Sequence, residues 1–95
     1  MPTPFSLYEP REDSYLLAAQ VAKYARGKVL DMGIGSGIQA STAAKQRKVK
    51  TVLAVDLQSG VIAHCRKTLD SKKIRFRVSD LFARIPEKFD TVIFN

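Results

Sequence analysis

The sequence predicts an α/β fold in which a doubly wound, mostly parallel Rossmann-like sheet of about four strands is flanked by helices. Three observations lead to this fold class. Short, almost continuously apolar runs alternate with segments in which apolar residues recur at helical spacing. The first apolar run leads directly into a glycine-rich turn. Strands that alternate with helices pair in parallel through right-handed crossovers, and strands that are apolar throughout need cover on both faces.

The elements follow from local signals along the chain. Residues 1–12 contain three prolines and predict an extended arm. A helix is expected to start at a cap formed by Asp13 or Ser14 and to end at a C-terminal glycine, Gly27. Beyond it, the sequence predicts strands at 28–32, 51–56, 74–78 and 89–94, and helices at 38–47 and 59–69. The third strand alternates apolar with basic residues, which is typical of a strand with one covered face near a sheet edge.

Length and composition limit the class of protein. The chain has 95 residues, 45% of them hydrophobic and 26% charged, so we expect one globular domain over residues 1–95. No apolar run is long enough to span a membrane, and no secretory signal is present, so a cytoplasmic location is expected. Cys65 is the one cysteine, which excludes an internal disulfide and a cysteine-rich zinc site. No metal ligands are predicted.

The net charge of +7 permits two interpretations. Such a balance favours polyanionic partners through long-range attraction. A solvated, lysine-rich surface that serves solubility explains it equally simply. The same choice applies to the basic patch formed by Lys72, Lys73, Arg75 and Arg77, which can steer an RNA partner or discourage strand pairing.

The glycine turn carries the strongest functional signal. Gly33, Gly35 and Gly37 lie between a predicted strand and a predicted helix, where glycines let the backbone turn tightly and let a ligand approach closely. Asp56 ends the next strand and Asp80 follows the third strand. Because the carboxyl ends of parallel strands meet in one crevice, these residues predict a nucleotide-type ligand at the turn.

The acidic residues favour one class of ligand. The glycine spacing is GxGxG and not the dinucleotide GxGxxG, and Asp31 lies two residues before the first glycine. A carboxylate there repels a pyrophosphate and attracts a cationic amine. S-adenosylmethionine, which has an α-amino group and a sulfonium and no phosphate, therefore fits better than NAD. Asp31, Asp56 and Asp80 each also have a structural interpretation as a cap or a turn residue.

These motifs resemble class I S-adenosylmethionine-dependent methyltransferases, and most of all their HemK-type branch, which methylates a glutamine amide in translation release factors. The resemblance spans nearly the whole chain, as the N-terminal half of the family's fold. It is carried by the leader at 8–17 (YEPREDSYLL), the turn at 31–37 (DMGIGSG), the SDLF sequence at 79–82 and the final strand at 89–95.

The resemblance implies a role for each matching position. Asp31 would hold the methionine amino group, the Gly33 backbone would line the methionine moiety and Asp56 would bind the ribose hydroxyls. The adenine would meet the side chain of Asp80 and the amide of Leu81, and Ser14 stands where the family has a Thr or Ser that touches the cofactor. The expected cofactor-binding residues are Ser14, Asp31, Gly33, Gly35, Gly37, Asp56, Leu57, Asp80 and Leu81.

The acceptor side departs from the family. Asn95 stands where the family's Asn-Pro-Pro-Tyr motif begins and is the expected catalytic residue, but no Pro-Pro-Tyr follows. We therefore expect at most weak methyl transfer, and self-association through the exposed last strand. Three functions stay open: methylation of a protein glutamine in a release factor, methylation of an amino group on an RNA or DNA base, and a non-catalytic module that binds the cofactor or assembles with a partner.

Overall fold

The computed structural model of the chain describes residues 12–80 and 85–94. Helices and strands alternate through most of this range. In chain order the elements are α1 (Glu12–Tyr24), β1 (Gly27–Met32), α2 (Ile38–Ala44), β2 (Val49–Asp56), α3 (Ser59–Thr68), β3 (Ile74–Val78) and β4 (Thr91–Phe94). No helix within the described ranges has the length and apolarity needed to cross a membrane.

The four strands form one parallel sheet in the order β3-β2-β1-β4. Leu30 in the central strand β1 is level with Leu53 in β2 on one side and with Val92 in β4 on the other. The predicted α/β class is confirmed. As the alternating pattern of 74–78 indicated, β3 lies at one end of the described sheet.

Both faces of the sheet are buried against other parts of the chain. One face belongs to a core to which all three helices contribute, through residues such as Val21, Ala40 and Ile62. The other face has a smaller cluster, in which β1 and β2 pack against Ile85 and Phe89. The members contributed by the strands are Leu30, Met32, Leu53 and Val55. Continuously apolar strands need both faces covered, because their alternate side chains point to opposite faces and all of them must be removed from water.

Several predicted boundaries are wrong. Asp13 and Ser14 do not precede the first helix but lie within α1, which includes Glu12, and β2 begins at Val49, two residues before the predicted start. Gly27 does not end the first helix: α1 ends at Tyr24, and Gly27, at φ 64°, opens β1 with its N–H bonded to the carbonyl of Lys48 at 2.7 Å. The second helix ends three residues early, where the Gln46 N–H bonds to the carbonyl three residues before it. The last strand starts at Thr91, because Phe89 packs on the second face of the sheet instead.

Parallel pairing gives the sheet two chemically different ends. The carboxyl end is where β1, β2 and β3 finish, at Met32, Asp56 and Val78. The amino end is where they begin, at Gly27, Val49 and Ile74. Since each helix follows a strand and precedes the next parallel strand, α2 and α3 start near the carboxyl end, and the chain returns to the amino end before β2 and β3 begin. The glycine turn lies at the carboxyl end.

Candidate functional site

The glycine loop, residues 33–37, connects β1 to α2 and is fixed to the neighbouring strand. The N–H groups of Gly33 and Ile34 donate to the carbonyl of Val55 in β2, at 2.9 and 3.0 Å. The Ile34 side chain is buried in the helix-side core. These contacts hold the backbone of the loop at the carboxyl end of the sheet before any ligand arrives.

Gly37 and Gly35 both have left-handed backbones, but their surroundings differ. Gly37, at φ 87°, is the N-cap of α2, and a Cβ atom there would meet Leu69 Cδ1 at 2.8 Å. Gly35, at φ 53°, is open: the nearest atom to a Cβ built on it is the Gly33 carbonyl oxygen, 4.0 Å away. Because Gly37 has no side chain to cap α2, the Ser36 hydroxyl takes over and accepts from the Ile38 N–H at 3.3 Å.

Asp31 lies next to this loop and is completely buried, with 0% of its surface exposed. Among residues 12–80 and 85–94, neither carboxylate oxygen finds a hydrogen-bond partner. Burial raises the pKa of Asp31 to about 7, the nearby N–H of Ala40 lowers it in part without reaching bonding geometry, and the negative charge of Asp56 raises it. An ionised carboxylate without partners is costly at such a site, so a cationic donor would be strongly preferred there.

Asp56 ends β2 and its carboxylate is turned toward the glycine loop. One oxygen accepts from the Gly35 N–H at 3.5 Å, and the other accepts from the Gln58 N–H at 2.9 Å. The second bond closes a local turn before α3. The side chain is half-buried, so its oxygens stay accessible to hydroxyl donors.

Two further predicted residues, Asp80 and Leu57, follow strands at the same end of the sheet. The Ser79 N–H donates to the Asp56 carbonyl at 3.0 Å, which brings the exposed Asp80 to the carboxyl end next to Asp56. Asp31, Asp56 and Asp80 thus lie at the carboxyl ends of β1, β2 and β3, and the meeting of their three side chains around one ligand stays a prediction. Leu57 directly follows Asp56 and is 66% exposed. Leu81 and Asn95 lie outside the described residues.

Ser14 is joined to the first turn of α2 by a residue that sequence reasoning missed. Gln39 in the first turn of α2 is 0% exposed, and its Nε2 donates to the Ser14 carbonyl at 2.8 Å. No partner for its Oε1 is found among the described residues. The signal that sequence reasoning passed over was a long polar side chain within the alanine-rich segment 38–44.

Cys65 in α3 also touches the loop, although the sequence gave no reason to single it out. Its thiol donates to the Gly35 carbonyl at 3.3 Å, and it is fully buried. Burial raises the pKa of Cys65 to about 11, and the negative charges of Asp31 and Asp56 add to this effect. Cys65 therefore stays a protonated thiol and holds the loop against α3 as a donor.

The donor set defines the chemistry of a ligand that fits. An unpartnered, buried carboxylate accepts from an ammonium group, an accessible carboxylate accepts from hydroxyls, and the open side of Gly35 admits a ligand without a Cβ in the way. A pyrophosphate beside Asp31 and Asp56 would face two negative charges. The residues present fit the amino and ribose groups of S-adenosylmethionine.

Comparisons with known proteins agree with this chemistry. Residues 2–95 match the methyltransferase small domain family. The chain is 33% identical over 91 residues to "Putative protein N5-glutamine methyltransferase MJ0928" of Methanocaldococcus jannaschii, covering 94% of this chain and 46% of that protein. It is 32% identical over 97 residues to the ribosomal RNA small subunit methyltransferase C of Haemophilus influenzae, covering 100% of this chain and 29% of that protein. The enzyme of the same name from Pasteurella multocida is 30% identical, and the alignment covers 30% of its length.

The chain thus spans less than half the length of these curated relatives. The family match, in contrast, covers nearly all of it, including the glycine loop and every aspartate at the carboxyl end of the sheet. On that match, and with a parallel sheet and a loop of the kind described above, the chain belongs to the methyltransferase small domain family.

Proposed function

We propose that residues 1–95 form the S-adenosylmethionine-binding part of a methyltransferase that acts on an amide or amine nitrogen, with a glutamine side chain of a translation release factor as the acceptor. The observation that carries this proposal is the buried Asp31, which lies beside a loop with an open side and whose two carboxylate oxygens have no partner in the described part of the chain. A site that leaves a carboxylate in this state is suited to a cationic ligand.

Each residue at the carboxyl end has a part in binding. Asp31 accepts from the amino group of the cofactor, and Asp56, whose oxygens are accessible, accepts from the ribose hydroxyls. Asp80, with the Leu81 amide, faces the adenine. The Gly33, Gly35 and Gly37 backbone lines the methionine side, while Ser14 and Leu57 border the site. The bound cofactor supplies an electrophilic methyl group on its sulfonium.

The acceptor nitrogen is oriented by Asn95, which accepts a hydrogen bond from the substrate amide. Such orientation lowers the barrier mainly by alignment of the reacting atoms. The name of the M. jannaschii relative supports a glutamine acceptor. A cytoplasmic location goes with this proposal, since Cys65 is a free thiol.

Calorimetry with S-adenosylmethionine and with NAD tests the cofactor. We expect heat of binding with the first ligand only, and its loss in Asp31→Asn and Asp56→Asn. Asp70→Asn, which neutralises an exposed carboxylate away from the loop, is the matched control and should bind as the unmodified chain does. Equal binding of NAD, or unchanged binding by Asp31→Asn, would overturn the proposal.

A second acceptor class, an amino group on an RNA base, is supported by the relatives named ribosomal RNA small subunit methyltransferase C, whose alignments cover this entire chain. Incubation with methyl-labelled S-adenosylmethionine, a release factor and ribosomal RNA separates the two. Label in the protein supports the glutamine acceptor, and label in the RNA supports the base. Label in neither, with cofactor binding intact, supports a non-catalytic cofactor-binding module.

We also infer that the chain associates with a second copy of itself through the outer side of β4. No described strand pairs with its outer side, and next to it Leu17, Val21 and Ile93 line an apolar groove between α1 and β4. Val92 is 56% exposed. Sedimentation should therefore give dimers that Val92→Lys dissociates, while Leu16→Lys, an equal charge change at an exposed position on α1, leaves them intact. A chain that stays monomeric at high concentration would contradict this inference.

A further inference from the structure

The two ends of the sheet carry opposite charge. The carboxyl end has the aspartates of the candidate site. At the amino end, exposed cations flank the first residue of β1, β2 and β3 in turn. These cations are Arg26, Lys28, Arg47, Lys48, Lys50, Lys72 and Arg75. Two open clefts lie among them, one lined by Arg26, Lys28, Lys48 and Lys50 and the other by Lys28, Arg75 and Arg77.

Some cations at this end have a structural task, because helix C-termini are negative and their carbonyls need donors. Lys48 Nζ donates to the Lys23 carbonyl in the last turn of α1 at 3.0 Å. Lys73 Nζ donates to the Gln46 carbonyl just after α2 at 2.9 Å. These two lysines are explained by the fold itself.

The acidic side chains in the two clefts are already engaged. Glu87 is held by Arg77 through two bonds of 2.7 and 3.1 Å. Asp90 Oδ2 accepts from the backbone N–H of Lys28 at 2.8 Å. Among the described residues, Arg26, Lys28, Lys50 and Arg75 form no salt bridge. One carboxylate, that of Asp90, lines the first cleft beside four cations, so positive charge remains in excess there.

We propose that these four residues, Arg26, Lys28, Lys50 and Arg75, form a docking surface for the phosphate backbone of single-stranded RNA. They project as separate point charges from the starts of three neighbouring strands, with Lys28 shared between the two clefts. Several cations held on neighbouring strands can each neutralise one phosphate of a polynucleotide chain. Large apolar side chains that would enter a membrane are absent from the first cleft, which favours RNA over a lipid surface.

This inference goes beyond the proposed function and does not depend on it. A six-residue strand such as β1 is about 20 Å long at roughly 3.3 Å per residue, so the docking surface and the glycine loop lie at opposite ends of the sheet. RNA bound at the amino end would anchor the protein, and its bases would not enter the candidate site at the carboxyl end. Whatever reacts at the carboxyl end can be a different molecule.

Fluorescence anisotropy with a labelled, mixed-sequence RNA of about 20 nucleotides tests the surface. If the four cations each neutralise one phosphate, the logarithm of affinity falls with the logarithm of salt with a slope of about −3, which is about 50-fold between 50 and 200 mM. Lys28→Gln with Lys50→Gln should bring the slope to about half that value and weaken binding about 10-fold or more at low salt.

The matched control is Ala19→Glu with Ala22→Glu, which lowers the net charge by the same two units on the exposed side of α1. It should bind RNA nearly as the unmodified chain does. Lys28→Arg with Lys50→Arg should retain binding. If the glutamine pair lowers the melting temperature, RNA titration of the unmodified chain followed by amide NMR replaces it, with shifts expected at residues 26, 28, 50 and 75.

Three results would overturn the proposal: equal weakening by the glutamine pair and the α1 pair, shifts at the carboxyl end in place of the amino end, or tighter binding to polyglutamate or to phosphatidylserine vesicles than to RNA. Saturating S-adenosylmethionine should leave RNA affinity unchanged. Displacement of RNA by the cofactor would place the RNA at the glycine loop and would also contradict the proposal. Failure of the cofactor to bind would bear on the proposed function alone.

Discussion

Gln39 and Ser14, 25 residues apart in the chain, are joined by a 2.8 Å hydrogen bond from the side-chain amide of the first to the main-chain carbonyl of the second. The bond connects the first turn of α1 to the first turn of α2, and α2 is the helix that the glycine loop leads into. Since Gln39 is fully buried, water cannot replace this contact. The start of α1 is therefore positioned by the element that follows the loop.

Gln39→Met should release the start of α1 while leaving the core filled. The lost hydrogen bond is worth about 1 kcal/mol, and removal of the unpartnered Oε1 offsets part of it, so the free energy of unfolding should change by less than about 1 kcal/mol. Hydrogen exchange in α1 should become faster. Gln46→Met, which removes an amide bonded only to Thr42 four residues earlier, is the control. Unchanged exchange in α1 of the Gln39 variant would contradict this reading.

The burial of Asp31 predicts a specific dependence of stability on pH. Its pKa is raised from 3.8 to about 7, so the folded chain keeps a proton that the unfolded chain has already lost. The stability that comes from this proton is fully present below about pH 4 and is lost as pH rises through about 7, by roughly 4 kcal/mol at most. Asp31→Asn has no such proton. The variant should unfold at higher denaturant concentration than the unmodified chain at pH 8.

The control for the pH profile is Asp70→Asn, whose carboxylate is exposed. Its denaturant midpoint should follow that of the unmodified chain from pH 5 to 8. Parallel profiles of Asp31→Asn and the unmodified chain over the same range would mean that Asp31 does not titrate there.

Sequence reasoning placed the sheet because burial leaves a local record in the strands. Burial on both faces leaves a mostly apolar run in β1 and β2, and the position of β3 at one end of the described sheet goes with its alternation of apolar and basic residues. It also placed Asp31, Asp56 and Asp80 at one end of the sheet, since parallel topology follows from the alternation of elements. Gly27 was misassigned because a glycine after a helix has the same local signal whether it ends the helix or begins a strand. The bond from its N–H to the Lys48 carbonyl decides between the two, and that bond is not local.

Gln39 and Cys65 show the same limit for the site. Each is bonded to a backbone carbonyl, that of Ser14 in one case and of Gly35 in the other, at separations of 25 and 30 residues. No spacing rule connects a glutamine in α2 to a serine in α1. The sequence did show a polar side chain, Gln39, within an alanine-rich helix segment. That pattern predicts a buried hydrogen bond but does not say which residue accepts it.

If the proposed cofactor binds, its affinity should depend on the protonation of Asp31. A cationic amine binds the ionised carboxylate, so protonation competes with it. The dissociation constant should rise about tenfold for each pH unit below about 7 and level off above it. Calorimetry in buffers of different ionisation enthalpy should register close to one proton released at pH 6. Asp56→Asn should keep the pH trend at weaker affinity, whereas an affinity that is flat between pH 5 and 8 would contradict the role of Asp31.

Alanine at Gly37 and at Gly35 should separate backbone strain from steric contact in the loop. Both residues have left-handed backbones, φ 87° and 53°, which an L side chain adopts at a cost of about 1–2 kcal/mol. Only at Gly37 does the new methyl group also meet Leu69. Urea unfolding should therefore give a larger loss of stability for Gly37→Ala than for Gly35→Ala. In a Leu69→Ala background the contact disappears, so the loss for Gly37→Ala should fall to that of Gly35→Ala; a difference that persisted there would mean that Leu69 is not its source.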